Sequence, residues 1–459
     1  MKKSEAIIYK CRYEKTNITQ KEFDELFFNK NIMLCRKVEK EYEDGNYSFE
    51  NIAQEAAFLD TIAISYIKCL AQNSEQFSNY CFIIDDDHYK PIKLVSRSLN
   101  LLRQTKGDIS FYYSPPETLS ALYGNLGNYY IFQNRYCEAI RCFNKALFID
   151  PKNGFFRFKK AFYAKQNLKY IYKFCSLDKL FHFFIDELLR AKKDETKDFD
   201  EDISSSINKS LFELYSLSTR YKNEKFLTKG DTNVYSRFIN PVLDLIPLEK
   251  LSGEQDVILD CHLENDKYVE LVEQYLMIRS EADMVFHGIY PKRHADRKIS
   301  NLLIQLYSFF DKIAYFLNDY YHIGMKADSI NIKRIFAFDN QIILKYKNPF
   351  LYAIYWLSSE YRIKKINEYI DPVFLNIDEL RNTLEHRCEP IKNILSSSSL
   401  KSRYDKLEEI VHDLLIYLQM MMQYEERLSE DYKKNSREYI CSFLETSLYD
   451  FFSSAYEKQ

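Results

Sequence analysis

Residues 380–387, Leu380-Arg381-Asn382-Thr383-Leu384-Glu385-His386-Arg387, set an arginine, a carboxamide and an imidazole within about one and a half helical turns. An imidazole moves protons near neutral pH, and a guanidinium holds phosphate through a planar fork of donors. Those are the side chains that metal-free cleavage of an RNA phosphodiester needs. The Arg-x4-His spacing alone is a weak signal, because the two residue types fall at that interval by chance in many chains. No other of the 8 histidines has an arginine five to seven residues upstream.

On a helical wheel of about 100° per residue, Leu380, Leu384, Cys388, Ile391 and Leu395 fall within roughly 80° of one another. They form the core stripe of a helix over residues 376–395. Asn382 and His386, an i,i+4 pair, fall almost opposite that stripe, so His386 faces solvent or a second surface. Arg381 lies on the flank and must reach around the helix to meet it. Pro390 cannot donate to the carbonyl of His386 and loosens that turn, which could aim the histidine or serve packing alone. A plain solvated face is the competing reading. In it Glu385 pairs with Arg381 and Arg387 only adds charge. Asp311, within the apolar run 306–317, could reach Arg381 or His386, or could be a solvated position beside Lys312. Arg362, Lys364, Lys365 and Arg387 could collect phosphate, or be ordinary surface charge.

The elements that must position these residues read as helices. Among 459 residues there are only 9 Gly and 10 Pro, against 38 Tyr and 34 Phe. So few breakers predict an all-α chain with short loops and two or three domains. The formal net charge of −3, with acidic runs at 85–87 and 194–202, excludes a broad basic surface; any nucleic-acid site must be a local patch. The 10 cysteines show neither Cys-x-x-Cys pairs nor a regular framework, which points to buried reduced thiols. The N-terminus lacks a signal-peptide stretch and no long uncharged apolar span occurs. A soluble cytoplasmic protein without membrane association is expected.

Residues 52–70 carry Ala56, Leu59, Ile62, Ala63, Tyr66 and Ile67 at helical spacing, and a break is expected at Ser114-Pro115-Pro116. Residues 120–153 then carry a repeat of about 34 residues. Tyr123, Leu126, Gly127, Tyr130, Ala139, Phe143, Ala146 and Pro151 stand at the positions that define a tetratricopeptide repeat. Gly127 and Ala139 are small where the two helices approach; Tyr130, Phe143 and Ala146 fill the space between them; Pro151 ends the second helix. One such hairpin cannot bury its own apolar face, so degenerate repeats should flank it, the next beginning at Gly154 with Ala161 at the small position.

Gly230, Pro241, Pro247 and Gly253 make 228–256 the densest run of breakers and mark a domain boundary. The chain thus divides into a tetratricopeptide-like helical region, 1–245, and a helical bundle, 257–459. Within the bundle, helices are expected at 259–279, 299–321, 348–361 (with Trp356), 376–395, 401–428 and 438–452, with a serine loop at 396–399. No Gly-rich phosphate loop, serine nucleophile elbow or zinc-type spacing occurs; Cys261-His262 has no partners. Neither a cofactor nor a metal is expected.

Arg-Asn-x-x-x-His on a late helix of an α-helical bundle resembles the HEPN superfamily of ribonuclease and RNA-binding domains. Three ordered blocks bring the resemblance closer to its LA2681-like family: residues 310–318 (FDKIAYFLN), residues 348–353 with Trp356-Leu357, and residues 380–387. In that family the domain tends to follow tetratricopeptide-like helices. The resemblance implies a metal-independent endoribonuclease acting as a homodimer, the motifs of two subunits facing one cleft. His386 would be general base or acid at the ribose 2′-hydroxyl, leaving a 2′,3′-cyclic phosphate. Arg381 would stabilise transition-state charge, and Asn382 would orient the histidine or the phosphate, with Asp311, Glu385 and Arg387 in supporting positions. The expected partners are an RNA substrate, a second copy of the chain, and an unidentified protein or peptide at the repeat groove. A toxin or anti-phage defence effector held in check by its repeat half is one reading. The other is a non-catalytic scaffold that uses the groove for binding and the bundle for dimerisation or RNA binding, as some HEPN domains do.

Overall fold

The computed structural model describes residues 32–49, 52–72, 87, 89–104, 115–171, 177–194, 201–221, 265–289, 291–337, 342–362 and 397–427. Among them every regular element is helical, so the chain is all-α. The helices fall into two compact units, one within residues 32–221 and the other within 265–427. The breaker-rich stretch 228–256 and the expected helices 376–395 and 438–452 lie outside the described residues.

The first unit runs α1 (Ile32–Glu43), α2 (Ile52–Gln72), α3 (Lys90–Gln104), α4 (Pro115–Phe132), α5 (Tyr136–Ile149), α6 (Gly154–Ile171), α7 (Leu177–Lys193) and α8 (Glu201–Tyr221). Each helix packs chiefly on its sequence neighbour. The stripe read from α2 is the buried one: Ala56, Leu59, Ile62, Ala63 and Tyr66 are sealed, while Ile67 sits half-buried at its margin. The expected break at Ser114-Pro115-Pro116 falls at the start of α4, whose first two residues are the prolines. Proline fits a first helical turn, where its missing N–H costs nothing.

Helices α4 and α5 form the hairpin that the small residues predicted. A Cβ on Gly127 would stand 2.8 Å from Phe143 Cε1 and 3.1 Å from the Ala139 carbonyl, so only glycine admits this approach. Gly124, on the same helix, makes the same accommodation for Phe156 of α6, 2.0 Å from its hypothetical Cβ. The turn between α4 and α5 holds Asn134 at φ 56° and a sealed arginine. Arg135 donates to Glu138 at 2.7 Å and to Gln133 at 3.2 Å, with its guanidinium 4.4 Å from the Tyr130 ring centroid. The next small position, Ala161, is buried in α6.

Buried polar groups link the first helices. Glu39 of α1 accepts from Tyr66 at 2.7 Å and pairs with Lys90 at 3.0 Å, and Lys90 also meets Asp87 at 3.3 Å. Asp87, the last residue of the acidic run 85–87, is therefore buried and paired, with Arg36 on its other side. Asp60 of α2 accepts from Asn125 of α4 at 2.9 and 3.1 Å, and burial pushes its carboxyl up to about 7. Cys35, Cys69, Cys137 and Cys142 are free and buried, the first two with their sulfurs 3.7 Å apart.

The second unit runs α9 (Asp266–Phe286), α10 (Lys292–Tyr320), the one-turn α11 (Ile332–Ile335), α12 (Ile342–Tyr346), α13 (Pro349–Arg362) and α14 (Ser397–Arg427). Asn265 caps α9, its side chain accepting from the Tyr268 N–H at 3.2 Å, so the helix begins later than 259 and continues past 279. Helix α14 begins at Ser397, so Ser397, Ser398 and Ser399 form its first turn and not a loop. Helix α14 packs against both α10 and α13, and α9 against α10. Helix α13 is buried on nearly every side from Pro349 to Ser359, including Trp356, which makes it the apolar centre of the bundle.

Candidate functional site

Arg381, Asn382, Glu385, His386 and Arg387 lie outside the described residues, as do Lys364 and Lys365. What the structure supplies is the frame on either side of them, the end of α13 at Arg362 and the start of α14 at Ser397. Asp311 is half-buried on α10 between buried Phe310 and half-buried Lys312. Lys312 turns to α9, donating to Gln274 at 2.6 Å with its ammonium 4.8 Å from the Phe309 ring centroid; burial lowers its pKa.

The frame is held by residues inside the blocks read from the sequence. Asn348 accepts from the N–H groups of Phe350 and Leu351 at 2.9 and 3.2 Å, which caps α13 ahead of Pro349. Its amide donates to the Met421 carbonyl and to Glu425 Oε1, both at 3.0 Å, fastening the start of α13 to the end of α14. Tyr321, at the end of α10, donates to the same Glu425 oxygen at 3.4 Å; burial, then Glu425, raises its pKa. Asn318 is likewise structural, accepting from the Met325 N–H at 3.0 Å to shape the chain leaving α10. Two of the asparagines that carry the sequence resemblance thus position helices.

A second fastening was not foreseen. Glu408 of α14 is buried, pairs with Arg279 of α9 at 3.3 Å and accepts from Tyr275 of the same helix. Tyr404, one turn before Glu408, is buried with no hydrogen-bond partner for its hydroxyl among the described residues, and burial raises its pKa. Tyr268 extends the α9–α14 contact, donating to the Leu415 carbonyl at 3.1 Å. Glu408 stands between Leu407 and Ile410 at a core phase, and an acid there requires a cationic or donor partner. The sequence carried that signal, but it could not name a partner 133 residues away.

The described helices include none long and apolar enough to cross a membrane. Comparison with curated proteins and with solved structures gives no match in either. Comparison with family models does: residues 297–425, from within α10 through the Arg381–His386 segment to the end region of α14, match the family described as LA2681-like HEPN. Helix α9, which grips Glu408, lies before the matched stretch. This chain is therefore an all-helical protein whose residues 297–425 are similar to LA2681-like HEPN domains.

Proposed function

We propose that this chain is a metal-independent endoribonuclease acting as a homodimer, an effector of a toxin or anti-phage defence system controlled by its N-terminal helical half. The observation that carries the reading is that the LA2681-like HEPN match, residues 297–425, encloses the chain's single Arg-x4-His motif. His386 takes the proton of the ribose 2′-hydroxyl, or returns one to the leaving 5′-oxygen. The 2′-oxygen attacks phosphorus as the 5′-oxygen departs, leaving a 2′,3′-cyclic phosphate. Arg381 neutralises the charge gathering on the phosphoryl oxygens, and Asn382 orients the histidine or the phosphate. Asp311, Glu385 and Arg387 support the motif. The reading places the protein in the cytoplasm with RNA as its substrate.

The N-terminal half, in this proposal, is a set of tetratricopeptide-like hairpins, of which α4–α5 has the full spacing, and a protein or peptide in its groove sets the nuclease free. The test is cleavage of total cellular RNA in EDTA by the parent protein and by His386→Ala, with fragment ends mapped. Cutting that survives chelation, leaves cyclic-phosphate ends and vanishes in the variant supports the nuclease. A variant that keeps the full biological effect of the parent overturns it in favour of a binding scaffold.

A further inference from the structure

The connector between α10 and α13, residues 321–348, carries five basic residues against Asp328 and Asp339, a local excess of three positive charges (5 − 2) in a chain of net charge −3. Its underside is apolar. Ile330, Ile332, Ile335, Phe336, Ile342 and Ile343 are all buried. Its cations face outward: His322, Lys326, Lys333, Arg334 and Lys345 are exposed and Lys347 is half-exposed.

Three other lysines of the second unit are paired with carboxylates. Lys267 pairs with Asp319, Lys298 with Glu281, and Lys406 with Glu409. Lys326, Lys345 and Lys347 meet no carboxylate among the described residues. Three cations without a carboxylate on one connector leave a local positive charge that an anionic partner would neutralise.

Contacts among the described residues hold the two ends of the connector together. Tyr346 packs on Tyr321 with ring centroids 4.1 Å apart and donates to the Tyr321 carbonyl at 3.0 Å. That contact joins the two ends of the connector. Beside it, His322 and Lys347 are both held at φ 49°, a left-handed conformation that non-glycine residues adopt at a cost. Asn331 caps α11 by accepting from the Arg334 N–H at 2.9 Å. Tyr315 donates to the Ala327 carbonyl at 2.6 Å, and the residue is 43% exposed next to the Lys326 segment.

We propose that the described parts of this connector, residues 321–337 and 342–348, are the surface on which the second unit receives the phosphate backbone of single-stranded RNA, with Lys326, Lys345 and Lys347 as its principal phosphate contacts. The proposal rests on the RNA-cleaving reading above and adds where the substrate lies. Phosphate contacts of this kind give affinity and register without base specificity.

The test measures binding of a labelled single-stranded RNA of mixed sequence to the full chain carrying His386→Ala, over a salt series. One variant adds Lys326→Gln, Lys345→Gln and Lys347→Gln; a charge-matched control adds Lys267→Gln, Lys298→Gln and Lys406→Gln. The connector variant should bind on the order of 10-fold more weakly at low salt, and its log–log salt slope should fall by about 2, from roughly 0.7 per phosphate contact. The control should bind like the parent. Equal loss in both variants, or no loss in the connector variant, overturns the surface and leaves the nuclease reading standing. No RNA binding by the parent overturns this surface, while the nuclease reading is decided by the cleavage assay in EDTA.

Discussion

The two units hold their helices together differently. In the first, contacts run mainly between sequence neighbours and glycine makes the closest approaches possible, Gly127 yielding to Phe143 and Gly124 to Phe156, with buried polar pairs such as Asp60 and Asn125 beside them. In the second, polar side chains join segments that are distant in sequence. Asn348 reaches Glu425, and Glu408 is gripped by Tyr275 and Arg279. The first unit should therefore respond to damage locally and by degrees. The second should respond as a closed cooperative bundle.

Trp356, the chain's only tryptophan, is buried in α13 and gives the second unit its own fluorescence signal, while far-UV circular dichroism follows both units. The sharpest separation comes from His386→Ala. Cleavage of RNA should drop by about 10²–10⁴ while both unfolding transitions stay in place. A shifted tryptophan transition would make the histidine a packing residue and weaken the catalytic reading.

Asn348→Ala comes next. It uncaps α13 and removes a donor from Glu425 and from the Met421 carbonyl, costing on the order of 2 kcal/mol. Urea unfolding followed by tryptophan fluorescence should move to markedly lower denaturant. An unmoved midpoint would mean that α13 and α14 are held by apolar contact alone.

Gly127→Leu should destabilise the first unit by about 1–3 kcal/mol, because its side chain must displace Phe143. The loss should appear in circular dichroism and not in tryptophan fluorescence. If both signals shift together, the two units unfold as one and the contrast between them fails.

The smallest effect belongs to Asp60. Its carboxyl is raised to about 7 by burial, so the folded state holds a proton that the unfolded chain releases near 4. The stability linked to that proton is fully present below about pH 4 and is lost as pH rises through about 7. Asp60→Asn, which keeps an oxygen for Asn125, should flatten the pH dependence of first-unit stability between about pH 5 and 8 and raise stability at the alkaline end. A parent profile that is already flat would show Asp60 to be hydrated.

Local pattern was enough for much of the first unit. The α2 stripe and the pairing of Gly127 with Phe143 follow from spacing, since residues within one hairpin meet wherever the helices go. Boundaries were less legible. The serines from Ser397 to Ser399 lie within a helix, because serines suit both a first turn and a loop. Of the candidate site, the sequence supplied the motif and its flanking blocks, but it assigned no job to Asn318 and Asn348. Their hydrogen bonds go to groups that become neighbours only when the bundle closes.

By itself, then, the sequence determined the helical class and the tight α4–α5 hairpin, because helical periodicity and side-chain size act over a few turns. Tertiary structure decided which buried acid meets which base, as with Glu408 and Arg279, and which lysines are neutralised and which are left facing water. Those outcomes depend on chain segments scores of residues apart arriving at one place, and burial there sets the energetic cost of every unpaired charge.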